Sequence, residues 1–257
     1  MFASLPSRWL DTPRGPVFDV PEGWGQGRAT FGGLVGAAGV ALARRATPRT
    51  LRVLQAQLLA PVTPGPLHGS VEVLREGRTT TIVQVQLRQR DRLAAHLGLT
   101  YAVPRPGSKT VAGPEAPAWG PPDQHPAIPY LAGLTPEFMQ QVECRWIEGG
   151  LPYSGAAEPR LGGYVRFHTD EPPSLEAIVA LLDVFPTPTL VTLDRPVPSS
   201  SVTWTAHFHA APRPGPYAFR YETVAATDGL SSVVGHLWAA DGTPLAFTEQ
   251  AIAVFDG

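Results

Sequence analysis

The sequence predicts an α+β fold with two similar halves, each consisting of a helix wrapped by an antiparallel sheet. Two observations lead to this prediction. The tripeptide Pro-Gly-Pro occurs at residues 64–66 and again at residues 214–216, an offset of 150 residues. Each copy also lies within a series of four strand-like segments that follows an apolar, helix-like segment. We therefore interpret the chain as a duplication of one structural unit.

The composition limits the classes of function. In this chain of 257 residues, 43% are apolar and 16% are charged, so we expect a sizeable core. The net charge of −2 gives no basic surface for a nucleic-acid partner. No run of about 18 uncharged apolar residues is present, so we expect no membrane span and a cytoplasmic location. The single cysteine, Cys144, cannot form an internal disulfide and is expected to be buried.

The first helix is predicted within "ATFGGLVGAAGVALARRATP", residues 29–48. Thr30 is the predicted N-cap, and Pro48 ends the segment. Arg44 and Arg45 suit the negative end of the helix dipole. The segment is apolar on nearly all sides, which predicts a helix buried beneath the sheet.

Four strands are predicted after this helix, in "LRVLQAQLLAPV", "LHGSVEVLRE", "TTTIVQVQLRQ" and "LAAHLGLTYAV". A proline-rich run without periodicity then fills residues 103–129, where neither a helix nor a central strand is favoured. We expect an N-terminal module over residues 1–103, a linker over residues 104–136 and a C-terminal module over residues 137–257.

The second half repeats the plan. Its helix lies in "EPPSLEAIVALLDVFP", with Ser174 as N-cap, Glu176 in the first turn and Pro186 at the end. Four strands follow in "SVTWTAHFHA", "YAFRYETVAA", "LSSVVGHLWAA" and "TPLAFTEQAIAVF". A long helix wrapped by an antiparallel sheet, twice over, is the plan of a double hotdog. Because exposed sheet edges promote aggregation, we expect the two sheets to join edge to edge.

Three core-facing positions are polar in the second half only. These positions, each with its first-half counterpart, are Asp183 and Val40, Ser201 and Leu51, and Gln250 and Gly98. A carboxylate in the apolar context of Asp183 is costly to bury without a partner, so it indicates a reactive site. The alternative is a structural carboxylate on an exposed helix edge or bound to a loop amide. Together, Asp183, Ser201 and Gln250 could hold a water molecule.

Several segments resemble one known family. "GQGRATFGG", "ALLDVFP", "SVTWTAHFH" and "DGTPLAFTEQAI" are similar, in this order, to segments of the double-hotdog, type II acyl-CoA thioesterase-like superfamily. In that family an Asp, a Thr and a Gln orient the hydrolytic water. The resemblance assigns these roles to Asp183 and Gln250, while Ser201 stands where the family has Thr and keeps the hydroxyl. It implies hydrolysis of acyl-CoA or another acyl thioester without a cofactor.

The oxyanion of such a reaction requires hydrogen-bond donors. The first helix begins near Gly32 and Gly33, whose backbone N–H groups could stabilise the oxyanion. The alternative is that the two glycines allow close packing of the helix on the sheet. Arg28, Arg44 and Arg45 could meet the phosphates of CoA or remain solvated surface charges.

Two other functions compete with hydrolysis. The first is binding of acyl-CoA or fatty acyl groups with little catalysis. The second, a hydratase or dehydratase, ranks last because no histidine lies close to Asp183 in the sequence. His207 and His209 share one face of a strand without a further ligand cluster, so no metal is predicted. A homodimer is compatible with all of these functions.

Overall fold

The computed structural model describes residues 1–256, which form one large antiparallel sheet around two helices. The helices are α1 (Gly32–Ala43) and α2 (Leu175–Leu181). The strands are β1 (Leu10–Thr12), β2 (Gly15–Val20), β3 (Gly25–Gln26), β4 (Ala29–Thr30), β5 (Thr50–Leu58), β6 (Gly65–Glu76), β7 (Thr80–Gln89), β8 (Arg92–Ala102), β9 (Val142–Glu148), β10 (Arg160–Phe167), β11 (Ser199–Phe208), β12 (Tyr217–Thr227), β13 (Leu230–Trp238) and β14 (Pro244–Val254).

The sheet has 12 strands in the order β1-β2-β6-β7-β8-β5-β11-β14-β13-β12-β10-β9, and β3 and β4 form a separate hairpin. Read outward from its centre, the order is the same on both sides, with β5, β8, β7 and β6 opposite β11, β14, β13 and β12. At the centre β5 pairs antiparallel with β11, from Val53 with His207 to Gln57 with Thr203. The large antiparallel sheet predicted from the sequence is therefore present.

The two halves share their irregularities as well as their strand order. A register shift between Leu51 and Val53 in β5 recurs between Ser201 and Thr203 in β11. A second shift, after Val73 in β6, recurs after Thr223 in β12. Bulges are specific local features of a strand pair, so two of them at the 150-residue offset favour duplication.

The strand pairing changes one of the correspondences between the two halves that the sequence predicts. Gln250 pairs with Trp204, and the equivalent pair in the first half joins Leu99 to Leu54. The counterpart of Gln250 is therefore Leu99 rather than Gly98, because the hairpin before β14 is one residue longer than the hairpin before β8, not two. The change from apolar to polar at this position is unaffected.

Helix α1 is buried along almost its whole length, as its composition predicts. Small residues let it lie close to the sheet: a methyl group on Gly36 would come within 2.5 Å of the Trp204 ring. The prediction that Thr30 caps this helix is wrong. Thr30 belongs to β4 and its N–H binds the carbonyl of Val62, so the chain is still extended there and Phe31 occupies the N-cap position.

Helix α2 begins as predicted, because Oγ of Ser174 accepts a hydrogen bond from the N–H of Ala177. It has only seven residues, however, and is not the long helix expected. The N–H of Asp183 binds the carbonyl of Ala180, three residues earlier, so the chain tightens into a 3₁₀-like turn before Pro186. Asp183 consequently lies just beyond the end of α2.

An ion pair between a half-exposed arginine and a fully buried glutamate joins the two helices. Nη1 of Arg44, at the end of α1, lies 2.7 Å from Oε1 of Glu176, whose side chain is completely buried in the first turn of α2. Arg45 pairs instead with Asp11 at the surface. Neither arginine is thus a free cation in this structure.

The remaining expectations concern the connecting segment and the cysteine. Between β8 and the short helical turn Pro122–Gln124, residues 103–121 form neither helix nor strand. Cys144 is buried as predicted, and burial raises the pKa of its thiol to about 12. In the described part of the chain, no helix has the length and apolar character needed to cross a bilayer.

Candidate active site

The site is centred on the carboxylate of Asp183, which the end of α2 directs towards the start of α1. Its Oδ1 accepts a hydrogen bond of 2.9 Å from Nε2 of Gln250. Gln250 lies on β14, is 2% exposed and belongs to the face of the sheet that covers the helices. Asp183 as a whole residue is partly exposed, although burial dominates the environment of its carboxylate.

Ser201 extends this hydrogen-bonded series. Its Oγ donates a bond of 2.6 Å to Oε1 of Gln250, so Ser201 is connected to Asp183 through the amide rather than directly. The bulge in β11 lets Ser201 and Trp204, three residues apart, face the same side of the sheet. Ser201 also remains partly exposed.

The two glycines at the start of α1 border the carboxylate. A methyl group on Gly32 would lie 2.7 Å from Oδ2 of Asp183, so only glycine fits there without displacing the acid. The backbone N–H of Gly33 faces the same carboxylate and favours its ionised form. A methyl group on Gly33 would lie 2.5 Å from the carbonyl of Ala180, so this glycine also permits close packing of α1 on α2.

The environment of Asp183 brings the pKa of its carboxyl group close to neutral pH. Burial raises the pKa of Asp183 to about 6, because the charged form is poorly solvated, while Gln250 and Gly33 partly offset this increase by hydrogen bonding. Among residues 1–256, no arginine, lysine or histidine forms an ion pair with Asp183. A carboxylate with this pKa is ionised at pH 7 and retains useful basicity.

The structure thus brings together all five residues that the sequence singled out: Asp183, Ser201, Gln250, Gly32 and Gly33. Two of the three arginines considered for phosphate binding, Arg44 and Arg45, do not join them, because each is paired with an acidic side chain elsewhere. His207 lies on the opposite face of β11, where its ring packs against Phe247. In the part of the chain that is described, no cluster of three metal-ligating side chains occurs.

One residue near the site was missed by the sequence reasoning. Tyr221 on β12 is 1% exposed, and the charge of Asp183 acts on its hydroxyl. The signal was available, because the residue 150 positions earlier is Val71, and the pairing confirms that β6 and β12 correspond over this stretch. The change from valine to tyrosine is less conspicuous than the other three, because tyrosine is largely apolar and is common in a core.

Comparison with known families matches two separate parts of the chain. Residues 20–102 match the family of acyl-CoA thioesterase N-terminal domains, and residues 122–254 match the family of acyl-CoA thioesterase C-terminal domains. The chain belongs to the acyl-CoA thioesterase family. The resemblance inferred from the sequence is therefore confirmed at family level. No curated protein matches this thioesterase-family chain.

Solved structures show that this member of the acyl-CoA thioesterase family has a hotdog fold. A conserved protein of unknown function with a hot dog fold from Alicyclobacillus acidocaldarius has a TM-score of 0.89 and 21% identity, covering 99% of this chain and 98% of that one. A putative thioesterase II from Thermobifida fusca YX has a TM-score of 0.86 and 23% identity, with coverages of 99% and 97%. The tesB protein of Mycobacterium avium subs paratuberculosis has a TM-score of 0.75 and 18% identity, with coverages of 99% and 100%.

Proposed function

We propose that this protein hydrolyses acyl-CoA, or another acyl thioester, with a water molecule that Asp183 activates. The observation that carries the proposal is the environment of Asp183. The carboxylate is buried, has a pKa of about 6, accepts a hydrogen bond from a neutral amide and lies against the start of a helix. Membership of the acyl-CoA thioesterase family supports the choice of a thioester as substrate.

In the proposed reaction, Asp183 accepts a proton from water while the water oxygen attacks the thioester carbonyl carbon. The tetrahedral intermediate then collapses, the carbon–sulfur bond breaks, and the leaving thiolate receives the proton from Asp183. The products are a carboxylic acid and a thiol. Gln250 and Ser201 hold the carboxylate and the water in the orientation that the attack requires.

The negative charge that develops on the carbonyl oxygen would be stabilised at the start of α1. Backbone N–H groups there have no intrahelical partner and carry partial positive charge. Gly32 and Gly33 are the candidate donors. Since the N–H of Gly33 already faces Asp183, we assign it a second role in keeping the base ionised before substrate binds.

The architecture accounts for a single reaction centre. In this proposal, two modules, residues 1–103 and 137–257, join edge to edge through β5 and β11, with residues 104–136 as the linker. The N-terminal module contributes the start of α1, and the C-terminal module contributes the three polar side chains. Val40, Leu51 and Leu99 cannot activate water, so the first module has no centre of its own. A homodimer would leave this arrangement intact.

The test is release of free thiol from a panel of acyl-CoA esters of different chain length. We expect turnover by the wild type and a decrease of about 10²–10⁴-fold in Asp183→Asn, the range typical of a lost general base. Asp123→Asn, which changes an exposed aspartate in a surface turn, is the matched control and should retain full turnover. Calorimetric binding of an acyl-CoA without any thiol release would instead support a binding protein.

A further inference from the structure

Leu58, the last residue of β5, lies beside the carboxylate of Asp183. A methyl group placed on Gly32 would be 2.7 Å from Oδ2 of Asp183 and 3.5 Å from Cδ1 of Leu58, so one methyl-sized position touches both side chains. The other carboxylate oxygen, Oδ1, accepts the hydrogen bond from Gln250. Oδ2 is thus the oxygen on the side of the leucine.

The side chain of Leu58 belongs to the inner face of the sheet. Ala56 and Leu54, two and four residues earlier, are buried. The intervening Gln55 and Gln57 are exposed, so Leu58 continues the buried series. Unlike its two predecessors it is only partly buried, and it packs against the edge of the core. The inner face of β5 therefore reaches the surface of the protein at Leu58.

The candidate site borders the surface on this side. The carboxylate of Asp183 is itself buried, but Gly32, Leu58 and Ser201 each remain partly exposed. Leu58 is the apolar side chain of these three. An acyl group that approaches the carboxylate along these residues therefore packs against the leucine, because apolar carbon atoms gain free energy from contact with an apolar surface.

The second half of the chain has a larger side chain at the equivalent position. Both central strands pair without interruption from their bulge to this point, so Phe208 of β11 corresponds to Leu58 at the 150-residue offset. Phe208 is 5% exposed and belongs to the hydrophobic core. A place that an aromatic ring fills in one module is thus occupied, next to Asp183, by a smaller and partly exposed side chain.

We propose that Leu58 is a specificity-determining residue, which packs against the first carbon atoms of the acyl chain beside the carbonyl group that is attacked. A water molecule activated at Oδ2 of Asp183 lies within hydrogen-bond reach of that oxygen, and the thioester carbon lies about 3–3.5 Å from the water. The next carbon of the acyl chain then comes within contact distance of the leucine. The inference rests on the proposed function, since it places the thioester at Asp183.

The expected selection concerns branching at C2, the carbon bonded to the carbonyl. An unbranched chain can lie along the isobutyl group of Leu58, whereas a methyl branch at C2 competes with that group for the same space. One methylene group in an apolar pocket changes kcat/KM by about 10- to 200-fold. We therefore expect the wild type to favour unbranched acyl groups and a shorter side chain at residue 58 to admit the branch.

The experiment compares two acyl-CoA esters, an unbranched one of the length that the wild type hydrolyses best and the same chain with a methyl branch at C2. Leu58→Ala should raise kcat/KM for the branched ester, relative to the unbranched one, by about tenfold or more. Leu59→Ala is the matched control, since Leu59 is the next residue and is 51% exposed. An unchanged ratio in Leu58→Ala, or an equal change in Leu59→Ala, overturns the inference even though the wild type hydrolyses both esters.

The opposite change tests the comparison of the two halves. Leu58→Phe introduces the side chain of Phe208 beside Asp183 and should lower kcat/KM for both esters by about tenfold or more, while the melting temperature stays near that of the wild type. A folded Leu58→Phe protein that hydrolyses both esters like the wild type would contradict the position assigned to Leu58.

A chemical measurement tests the same position without hydrolysis. Cys144, the single cysteine, is buried and the pKa of its thiol is raised to about 12, so iodoacetamide should alkylate only the cysteine of Leu58→Cys. A 2-oxoalkyl-CoA thioether keeps a carbonyl group but cannot be hydrolysed. At saturating concentration it should slow alkylation of Leu58→Cys by about tenfold and leave alkylation of Leu59→Cys unchanged.

The alkylation rates keep the two proposals separate. If thioethers of no chain length protect Leu58→Cys, the inference is overturned, whether or not the wild type hydrolyses acyl-CoA. If Leu58→Cys is protected but the wild type releases no thiol from any acyl-CoA, the proposed hydrolysis is wrong and Leu58 lines the acyl site of a binding protein.

Discussion

The side-chain amide of Gln250 donates a hydrogen bond to Oδ1 of Asp183 and so joins the last strand of the sheet to the end of α2. The amide is neutral, and it stabilises the ionised carboxylate less than a cation would. Burial therefore dominates, and the pKa of Asp183 is raised to about 6. The charge state of the site consequently changes just below neutral pH.

The first prediction concerns the dependence of hydrolysis on pH. Only the ionised carboxylate can accept a proton, so kcat/KM should be level above the pKa of Asp183 and fall about tenfold per pH unit well below it. The midpoint of this limb should lie near pH 6. Activity that stays level down to pH 5, in enzyme shown to remain folded, would contradict the assignment of Asp183 as the base.

The second prediction concerns stability. The pKa of Asp183 rises from its ordinary value of 3.8 to about 6 on folding, so the folded state binds the proton more tightly than the unfolded state. The free energy of unfolding should therefore decrease as the pH rises from about 4 to about 6. Asp183→Asn removes this penalty and should be more stable than the wild type at pH 7.5 by about 1–3 kcal/mol.

The same substitution can keep the hydrogen bonds of the site. If the Gln250 amide turns over, its oxygen accepts from the new carboxamide and its nitrogen donates to Ser201. Urea denaturation of both proteins at pH 4 and pH 7.5 tests the prediction, and the advantage of the variant should nearly vanish at pH 4. A difference in stability that is independent of pH would show that the charge of Asp183 is not the cause.

The third prediction separates the roles of Gln250 and Ser201. Gln250→Ala removes a donor to Asp183, so it should raise the pKa of the acid and shift the acidic limb of kcat/KM to higher pH. Ser201→Ala should lower kcat by about 5- to 50-fold without that shift, because Ser201 does not touch the carboxylate. Ser201→Thr keeps the hydroxyl and should remain close to the wild type.

The rate of a double variant is the control for the role assigned to Ser201. In Asp183→Asn there is no base left to orient, so a further Ser201→Ala change should have little effect on the residual rate. A multiplicative loss in the double variant would mean that Ser201 acts independently of Asp183.

The elements that were predictable from sequence are those that local chemistry determines. The uninterrupted apolar segment predicts α1, and Ser174 caps α2 because its hydroxyl reaches an N–H three residues on. The polar positions of the site were found by comparing two copies of one unit, which removes the background of residues that both copies need for folding. Asp183 was identified in this way.

The failures arise where distant parts of the chain decide the local structure. Thr30 has the chemistry of an N-cap, but its pairing with Gly25 in the β3–β4 hairpin and the bond from its N–H to the carbonyl of Val62 keep it extended. The counterpart of Gln250 was misplaced by one residue, because the sequence does not show how many residues the hairpin turn before β14 contains. Only the pairing of the strands gives that number and hence the register. The contact between Gln250 and Asp183 depends on where α2 ends relative to β14, which no local pattern encodes.

The fourth prediction concerns the ion pair between the helices. Glu176 is completely buried, and its partner Arg44 is the only cation that the described residues bring to it. Arg44→Met leaves the carboxylate buried without a countercharge and should lower the free energy of unfolding by about 2–4 kcal/mol. Arg45→Met, which breaks a surface pair with Asp11, should change stability little.

A second variant tests the cause of that loss. Replacing both partners, in Arg44→Met with Glu176→Leu, removes the buried charge and should recover most of the lost stability. If the double variant is as unstable as Arg44→Met alone, the arginine contributes by packing rather than by neutralising Glu176. Chemical denaturation with a fluorescence readout is sufficient for all three proteins.

The last prediction concerns Gly32. An added methyl group would lie 2.7 Å from Oδ2 of Asp183, closer than atoms of these types approach, so Gly32→Ala must displace the carboxylate or the start of α1. A displacement of about 1 Å in a catalytic group can cost up to about 10²-fold in rate, so we expect kcat/KM to fall by at least about tenfold. Because alanine favours a helix more than glycine does, stability should be affected much less than activity.

Gly39→Ala on the same helix is the matched control. Its methyl group would lie 2.5 Å from Cδ2 of Leu97, the end of a flexible side chain remote from the carboxylate. This variant should change the melting temperature while the folded protein retains kcat/KM near that of the wild type. If Gly32→Ala and Gly39→Ala lose activity only in proportion to their loss of folded protein, the start of α1 has a packing role and the oxyanion assignment to Gly32 and Gly33 is wrong.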